Sequence, residues 1–169
     1  MTKSAWTKVL ILAVILVIGA ATYCVALNSV LAASDKQTTT AWVMCKPDDY
    51  VNCRLGPSRR SESIGYLETG YRLEIDGKTK DGFAHCVDLA LEYSDGWVHA
   101  GYIVFEEPVW YGKDMTISAN GRVACRKHSG GDRTCWVVSG STVYVYWIAD
   151  GWAVTNKGWV QTQYLAEVI

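Results

Sequence analysis

Asp95-Gly96-Trp97-Val98-His99-Ala100-Gly101-Tyr102-Ile103 is the stretch that decides the fold, because the chain writes it twice. Asn156-Lys157-Gly158-Trp159-Val160-Gln161-Thr162-Gln163-Tyr164-Leu165 has the same grammar: a turn, Gly-Trp-Val, three small or polar residues, Tyr, then an aliphatic residue. Both anchors move by 62 positions, Trp97 to Trp159 and Tyr102 to Tyr164. A glycine feeding a Trp-Val strand, a short turn and a Tyr-aliphatic strand reads as the closing corner of a small β barrel. The chain is therefore expected to hold two copies of one small β domain.

The rest of the first copy is short runs separated by turn residues. Trp42-Val43-Met44-Cys45 is a strand candidate stopped by Lys46-Pro47-Asp48-Asp49. Tyr50-Val51-Asn52-Cys53-Arg54-Leu55 alternates apolar and polar, the pattern of a half-buried strand, and Gly56-Pro57-Ser58 ends it. Ile64-Gly65-Tyr66-Leu67 and Tyr71-Arg72-Leu73-Glu74-Ile75 flank a turn at Glu68-Thr69-Gly70, and Asp76-Gly77 and Asp81-Gly82 are further turn pairs. Phe83-Ala84-His85-Cys86-Val87 leads to the repeated corner.

The second copy keeps this order. Gly121-Arg122-Val123-Ala124-Cys125-Arg126 aligns its Cys and Arg with Cys53 and Arg54, and Asp150-Gly151-Trp152 matches Asp81-Gly82-Phe83. Trp136-Val137-Val138-Ser139-Gly140 matches residues 66–70. The first copy has a seven-residue insertion within residues 87–94, a change that a surface loop tolerates. Glu106-Glu107-Pro108 breaks any continuing ladder, so residues 105–113 read as the join. Five short strands per copy and few helix signals give an all-β expectation.

Upstream of the repeats, Lys3 and Lys8 precede nineteen uncharged residues, 9–27. As a helix that run would cover about 28 Å, near the thickness of a bilayer core. It reads as a single-pass anchor with the N-terminus in the cytoplasm, or as a signal peptide cleaved near Ala32, after Val30-Leu31. Cys24, preceded by Thr22 and Tyr23, does not look like a lipoprotein acylation site. Both readings export residues 34–169. The expected organisation is 1–33 anchor or signal, 34–40 tether, 41–104 first domain, 105–113 linker and 114–169 second domain.

Composition narrows the function. The net charge of −1 leaves no electrostatic footprint for nucleic acid. The first copy carries seven basic and ten acidic residues and the second five and four, so the two could prefer different partners. Eight Trp and ten Tyr against two Phe favour rings with a polar tip, suited to half-buried positions and binding surfaces.

These residues, in this order, resemble the bacterial SH3-like domain. Asn52-Cys53-Arg54-Leu55-Gly56-Pro57-Ser58, Asp81-Gly82-Phe83 and Gly96-Trp97-Val98-His99-Ala100-Gly101-Tyr102 follow the family's Asn-Val-Arg-x-Gly-Pro-Ser, Gly-Trp and Gly-Trp-Val pattern, with Cys53 and Phe83 as departures. In the second copy Lys127-His128-Ser129-Gly130-Gly131 replaces the Gly-Pro-Ser turn. The resemblance implies two tandem small SH3-like barrels and a targeting role at the cell wall; a fold alone names no ligand.

Of the six cysteines, Cys45, Cys53, Cys86, Cys125 and Cys135 follow the apolar run. In an oxidising compartment Cys125 and Cys135 are the best-placed pair. Cys45–Cys53 and Cys53–Cys86 remain alternatives in the first copy, and inward Cys53 and Cys125 also fit as small core residues. Cys86 beside His85 is no catalytic pair, because adjacent strand residues point to opposite faces. His99 reads as a solvated turn residue, and no spacing suits zinc. No catalytic residue, metal or cofactor is expected. A redox role for an unpaired cysteine would need a low thiol pKa.

Binding remains. An aromatic-lined groove on an SH3-type barrel receives an extended peptide with small side chains. The candidate contacts are Trp97, Tyr102, Trp159 and Tyr164, then Tyr50 and Tyr66, with Tyr71, Tyr144 and Tyr146 behind them. The expected partner is peptidoglycan or a wall peptide; the alternative is an adaptor for another exported protein.

Overall fold

The computed structural model describes residues 37–91 and 93–168. The anchor or signal segment, its cleavage position near Ala32 and residues 34–36 of the tether lie outside the described residues. Among the described residues, no helix is long and apolar enough to cross a membrane.

The described chain is all-β. The first sheet comprises β1 (Thr39–Val43), β2 (Val51–Arg54), β3 (Ser63–Leu67), β4 (Arg72–Lys80), β5 (Phe83–Val87), β6 (Gly96–His99) and β7 (Ile103–Val104). The second comprises β8 (Val109–Ile117), β9 (Arg122–Arg126), β10 (Arg133–Val138), β11 (Thr142–Ala149), β12 (Trp152–Thr155), β13 (Gly158–Gln161) and β14 (Leu165–Glu167). The strand orders are β3-β2-β6-β5-β4-β1-β7 and β10-β9-β13-β12-β11-β8-β14, which are identical under a shift of seven strands. The repeated Gly-Trp-Val stretches are β6 and β13, and each runs into a 3-10 turn, Ala100–Tyr102 or Thr162–Tyr164.

Alternation builds the cores. Val51 and Cys53 of β2 and Leu73 and Ile75 of β4 turn inward onto Leu67, Cys86 and Val98. Val123, Cys125, Val143, Val145 and Val160 do the same in the second sheet. A third cluster lies between the sheets: Met44, Val104, Ala149, Val154 and Trp159. In β12 and β13 it takes the residues facing away from the sheet's own core, Val154 beside Ala153 and Trp159 beside Val160. These strands are covered on both faces, with Ala153, Val154, Thr155, Trp159 and Val160 all buried. Residues 38–169 accordingly form one compact unit rather than two separate beads.

Several boundaries move. Each sheet has seven strands rather than five, and the last of each, β7 and β14, pairs onto β1 and β8. Val109 pairs with Ile148, Trp110 with Trp147 and Lys113 with Val145, so most of the expected linker is β8 and only residues 105–108 join the sheets. The N–H of Phe105 donates to Asp150 Oδ2 at 2.5 Å and the N–H of Asp150 to Glu106 Oε2 at 3.0 Å, which binds the join to the second sheet. Thr39 and Thr40 of the expected tether belong to β1, opposite Ile75 and Glu74.

Asp81-Gly82 and Asp150-Gly151 turn as expected, with both residues of each pair at positive φ (52° and 79°, 49° and 72°), the geometry of a tight hairpin turn. Asp76-Gly77 does not turn. β4 runs through it with a register shift between Ile75 and Thr79, matching the shift in β11 between Val145 and Trp147. The insertion at 87–94 is more than a surface loop. Leu89 is buried, Leu91 packs on the core, and the N–H of Ala90 donates to the Tyr71 hydroxyl at 3.2 Å.

Candidate ligand grooves

Outward residues of β2 and β9 form the floor of two grooves in matching places. In the first, Tyr50, Asn52 and Arg54 face Phe83 of β5, His99 of β6 and Tyr102 of the 3-10 turn, around a cleft of about 330 Å³. In the second, Arg122, Ala124 and Arg126 face Trp152 of β12, Gln161 of β13 and Tyr164, around about 410 Å³. The correspondence is positional: Phe83 lies opposite His99 in β5–β6, as Trp152 lies opposite Gln161 in β12–β13.

Both grooves are held in the same way. Arg54 Nη1 donates to the Ser61 carbonyl at 2.7 Å, and Arg126 Nη1 donates to the Gly131 carbonyl at 2.8 Å. Each guanidinium thus fixes the loop that follows its own strand. The rims differ. Beside the first groove, Tyr50 and Tyr66 meet edge to face at 4.5 Å, with 52% and 63% of their surfaces exposed. Beside the second, the guanidinium carbons of Arg122 and Arg133 lie 4.3 and 4.6 Å from the centre of the Trp136 ring.

The first groove is closed by the other sheet. Lys127 lines it, and the His128 ring lies 4.6 Å from that of His99 and 5.1 Å from that of Tyr102. The N–H of Ser129 donates to the Gly101 carbonyl at 3.1 Å. A Cβ on Gly101 would sit 2.1 Å from His128 Nδ1, so only glycine admits the ring there. The loop in which the second copy departs from the Gly-Pro-Ser grammar is therefore the loop that docks onto the first sheet.

His99 is not a solvated turn residue. It is half-buried, meets Phe83 edge to face and accepts the Gly101 N–H through Nδ1 at 3.2 Å. Burial lowers its pKa, and the charges of His128, Arg59 and Lys127 lower it further.

Of the expected contacts, Tyr102, Tyr164 and Tyr50 line the grooves and Tyr66 stands on the rim against Tyr50. Trp97 lies outside the grooves, half-buried against His85 with ring centres 4.9 Å apart. Trp159 is 1% exposed in the core between the sheets, 6.4 Å from both Tyr102 and Trp152, and presents no surface to a ligand. Phe83, Trp152, Trp136 and the four arginines were not singled out as contacts from the sequence, and His99 was set aside there as a turn residue. The repeated Asp-Gly-aromatic turn was the available signal for Phe83 and Trp152.

The described cysteines are free thiols. Cys125 and Cys135 are direct partners across β9 and β10. Cys53 and Cys86 both point inward on either side of β6, opposite Val98 and Gly96. Burial pushes Cys53 up to about 11 and Cys86 and Cys125 up to about 12, so none of these three is a thiolate at neutral pH. His85 faces the other way from Cys86, with Nδ1 3.0 Å from Asp76 Oδ2. That carboxyl, 5% exposed, is held well below the usual range, first by the hydrogen bond from Lys78 at 2.7 Å and then by His85. Among the described residues, no group of three His, Cys, Asp or Glu is placed to hold a metal.

No family model matches the chain, and no curated protein matches it. Solved structures with some similarity include NlpC1 from Trichomonas vaginalis, at 17% identity and TM-score 0.35, covering 80% of this chain and 48% of that one. NlpC2 from the same organism stands at 16% and 0.32, covering 79% and 49%. The chain spans about half the length of each.

Proposed function

We propose that each curled sheet is an SH3-like barrel and that the chain is a non-catalytic, extracytoplasmic binding protein recognising peptidoglycan or a cell-wall peptide. The observation that supports this most is the placement of two open, aromatic-lined clefts at the same position on both sheets. A shallow cleft with Phe83, Tyr102 and Tyr50 in one copy and Trp152 and Tyr164 in the other suits an extended backbone with small side chains. Residues 9–27 hold the protein at the membrane, or release it when cleavage occurs near Ala32. Two weak sites on one compact unit gain from effective concentration, since a polymer bound at one groove is held near the other.

Retention of the full-length chain on purified wall sacculi tests this reading. Retention at low salt is expected, with loss in Trp152→Ala and in Tyr102→Ala variants whose circular dichroism is native. No retention at low salt removes the wall ligand and leaves the adaptor reading. Release of soluble fragments from the sacculi would remove the non-catalytic assignment.

A further inference from the structure

The charge in the grooves runs against the charge of the chain. From residue 38 onward there are thirteen Lys and Arg and sixteen Asp and Glu. Five of those thirteen line the two grooves: Arg54, Arg59 and Lys127 in the first, Arg122 and Arg126 in the second. Only one of the sixteen acids, Asp49, does so, and the second groove has none. Uncompensated cations gathered in clefts on an otherwise acidic body raise the local concentration of anions.

The arginines are also arranged to present flat edges. The Arg122 guanidinium lies over Trp136 and makes no hydrogen bond or ion pair among the described residues. A guanidinium with its face on a ring keeps its N–H edge free for a second planar group. Arg126 is held through Nη1 by Gly131, which orients the remainder of its fork. Two or three cations per cleft match single charges spaced along a chain, rather than a dense polyanion.

We infer that both grooves select an extended ligand bearing carboxylates, with Arg122 and Arg126 in the second groove and Arg54, Arg59 and Lys127 in the first as the groups that grip them. The inference rests on the reading of these clefts as binding sites, and it names the chemical class that they take. The aromatic walls hold the backbone, and the arginines choose the charge.

The test uses a short oligoglutamate and the uncharged oligoglutamine of the same length, with binding to the full-length chain followed by tryptophan fluorescence. Oligoglutamate binds, more weakly as salt rises, and oligoglutamine binds about tenfold less well. Trp136 and Trp152 line only the second groove, so the fluorescence change reports that groove; there Arg122→Gln loses most of the preference, Arg122→Lys keeps part of it, and Lys80→Gln, outside both grooves, changes nothing. Arg122 decides the outcome even where Arg126→Gln disturbs the loop at Gly131. Equal binding of the two peptides, or native Arg122→Gln with unchanged preference, overturns the inference. So does a polyphosphate of similar charge that binds more tightly than oligoglutamate. Loss of sacculus retention with oligoglutamate binding intact would sink the wall reading alone; retention without oligoglutamate binding would sink this inference alone.

Discussion

The rings of His99 and His128 meet at a tilt of 58° across the junction of the two sheets, with centres 4.6 Å apart. One ring comes from the repeated corner of the first sheet and the other from the loop in which Lys127-His128-Ser129-Gly130-Gly131 stands where the first copy has Gly56-Pro57-Ser58. Their contact makes the first groove a joint product of both sheets.

The folded state disfavours protonation of His99, because burial and then the His128 charge lower its pKa. The unfolded chain protonates near the ordinary histidine value, about 6.5. As pH falls through that value the unfolded state gains its proton first, so stability falls and levels off only below the folded pKa. Melting temperatures between about pH 8 and about pH 5 should show this decline. His99→Gln, which copies Gln161 of the second sheet, should flatten it.

Gly101→Ala drives a methyl into the His128 ring. The ring must leave His99, and the junction should lose about 1–3 kcal/mol, the usual cost of overpacking. The double variant Gly101→Ala/His128→Ala should cost less than the sum of the two single changes. Denaturant unfolding of the four proteins measures that difference.

Two tryptophans separate stability from binding. Trp159→Ala empties the core between the sheets and should cost about 3–5 kcal/mol in chemical unfolding. Trp136→Ala, from a ring already 41% exposed, should leave unfolding almost unchanged while it releases the Arg122 and Arg133 stacks and weakens binding in the second groove.

Thiol accessibility should follow burial. Brief alkylation at neutral pH followed by mass spectrometry should label Cys135, which is half-exposed, before the buried Cys45, Cys53, Cys86 and Cys125. In a glutathione disulfide buffer Cys125 and Cys135, facing each other on paired strands, should join with the loss of two hydrogens. The bridge should add about 2–3 kcal/mol, and Cys135→Ser should abolish the gain.

Asp76 supplies the acid limb. Its folded pKa is depressed by Lys78 and His85, so its contribution is present above the unfolded carboxylate value, about 3.9, and is lost as pH falls toward the folded one. Asp76→Asn should lower the melting temperature at neutral pH and flatten its fall in acid.

The sequence by itself determined the two copies, the all-β class, the turns at Asp81-Gly82 and Asp150-Gly151 and the inward placing of Cys53 and Cys125. Those features depend on neighbours along the chain: alternation chooses a face, and turn chemistry chooses where a strand reverses. It could not choose between Trp97 and Trp159, which occupy one position of one motif. Both point away from their own sheet's core, yet Trp97 lies half-exposed on His85 while Trp159 is sealed beneath Tyr102 and Val104. Only tertiary structure decided that, because periodicity says which way a side chain points and the docking of the other sheet says what covers it. The grooves belong to the same class of fact: their walls come from a strand, a hairpin turn and a corner far apart in sequence, and for the first groove from Lys127 of the other sheet.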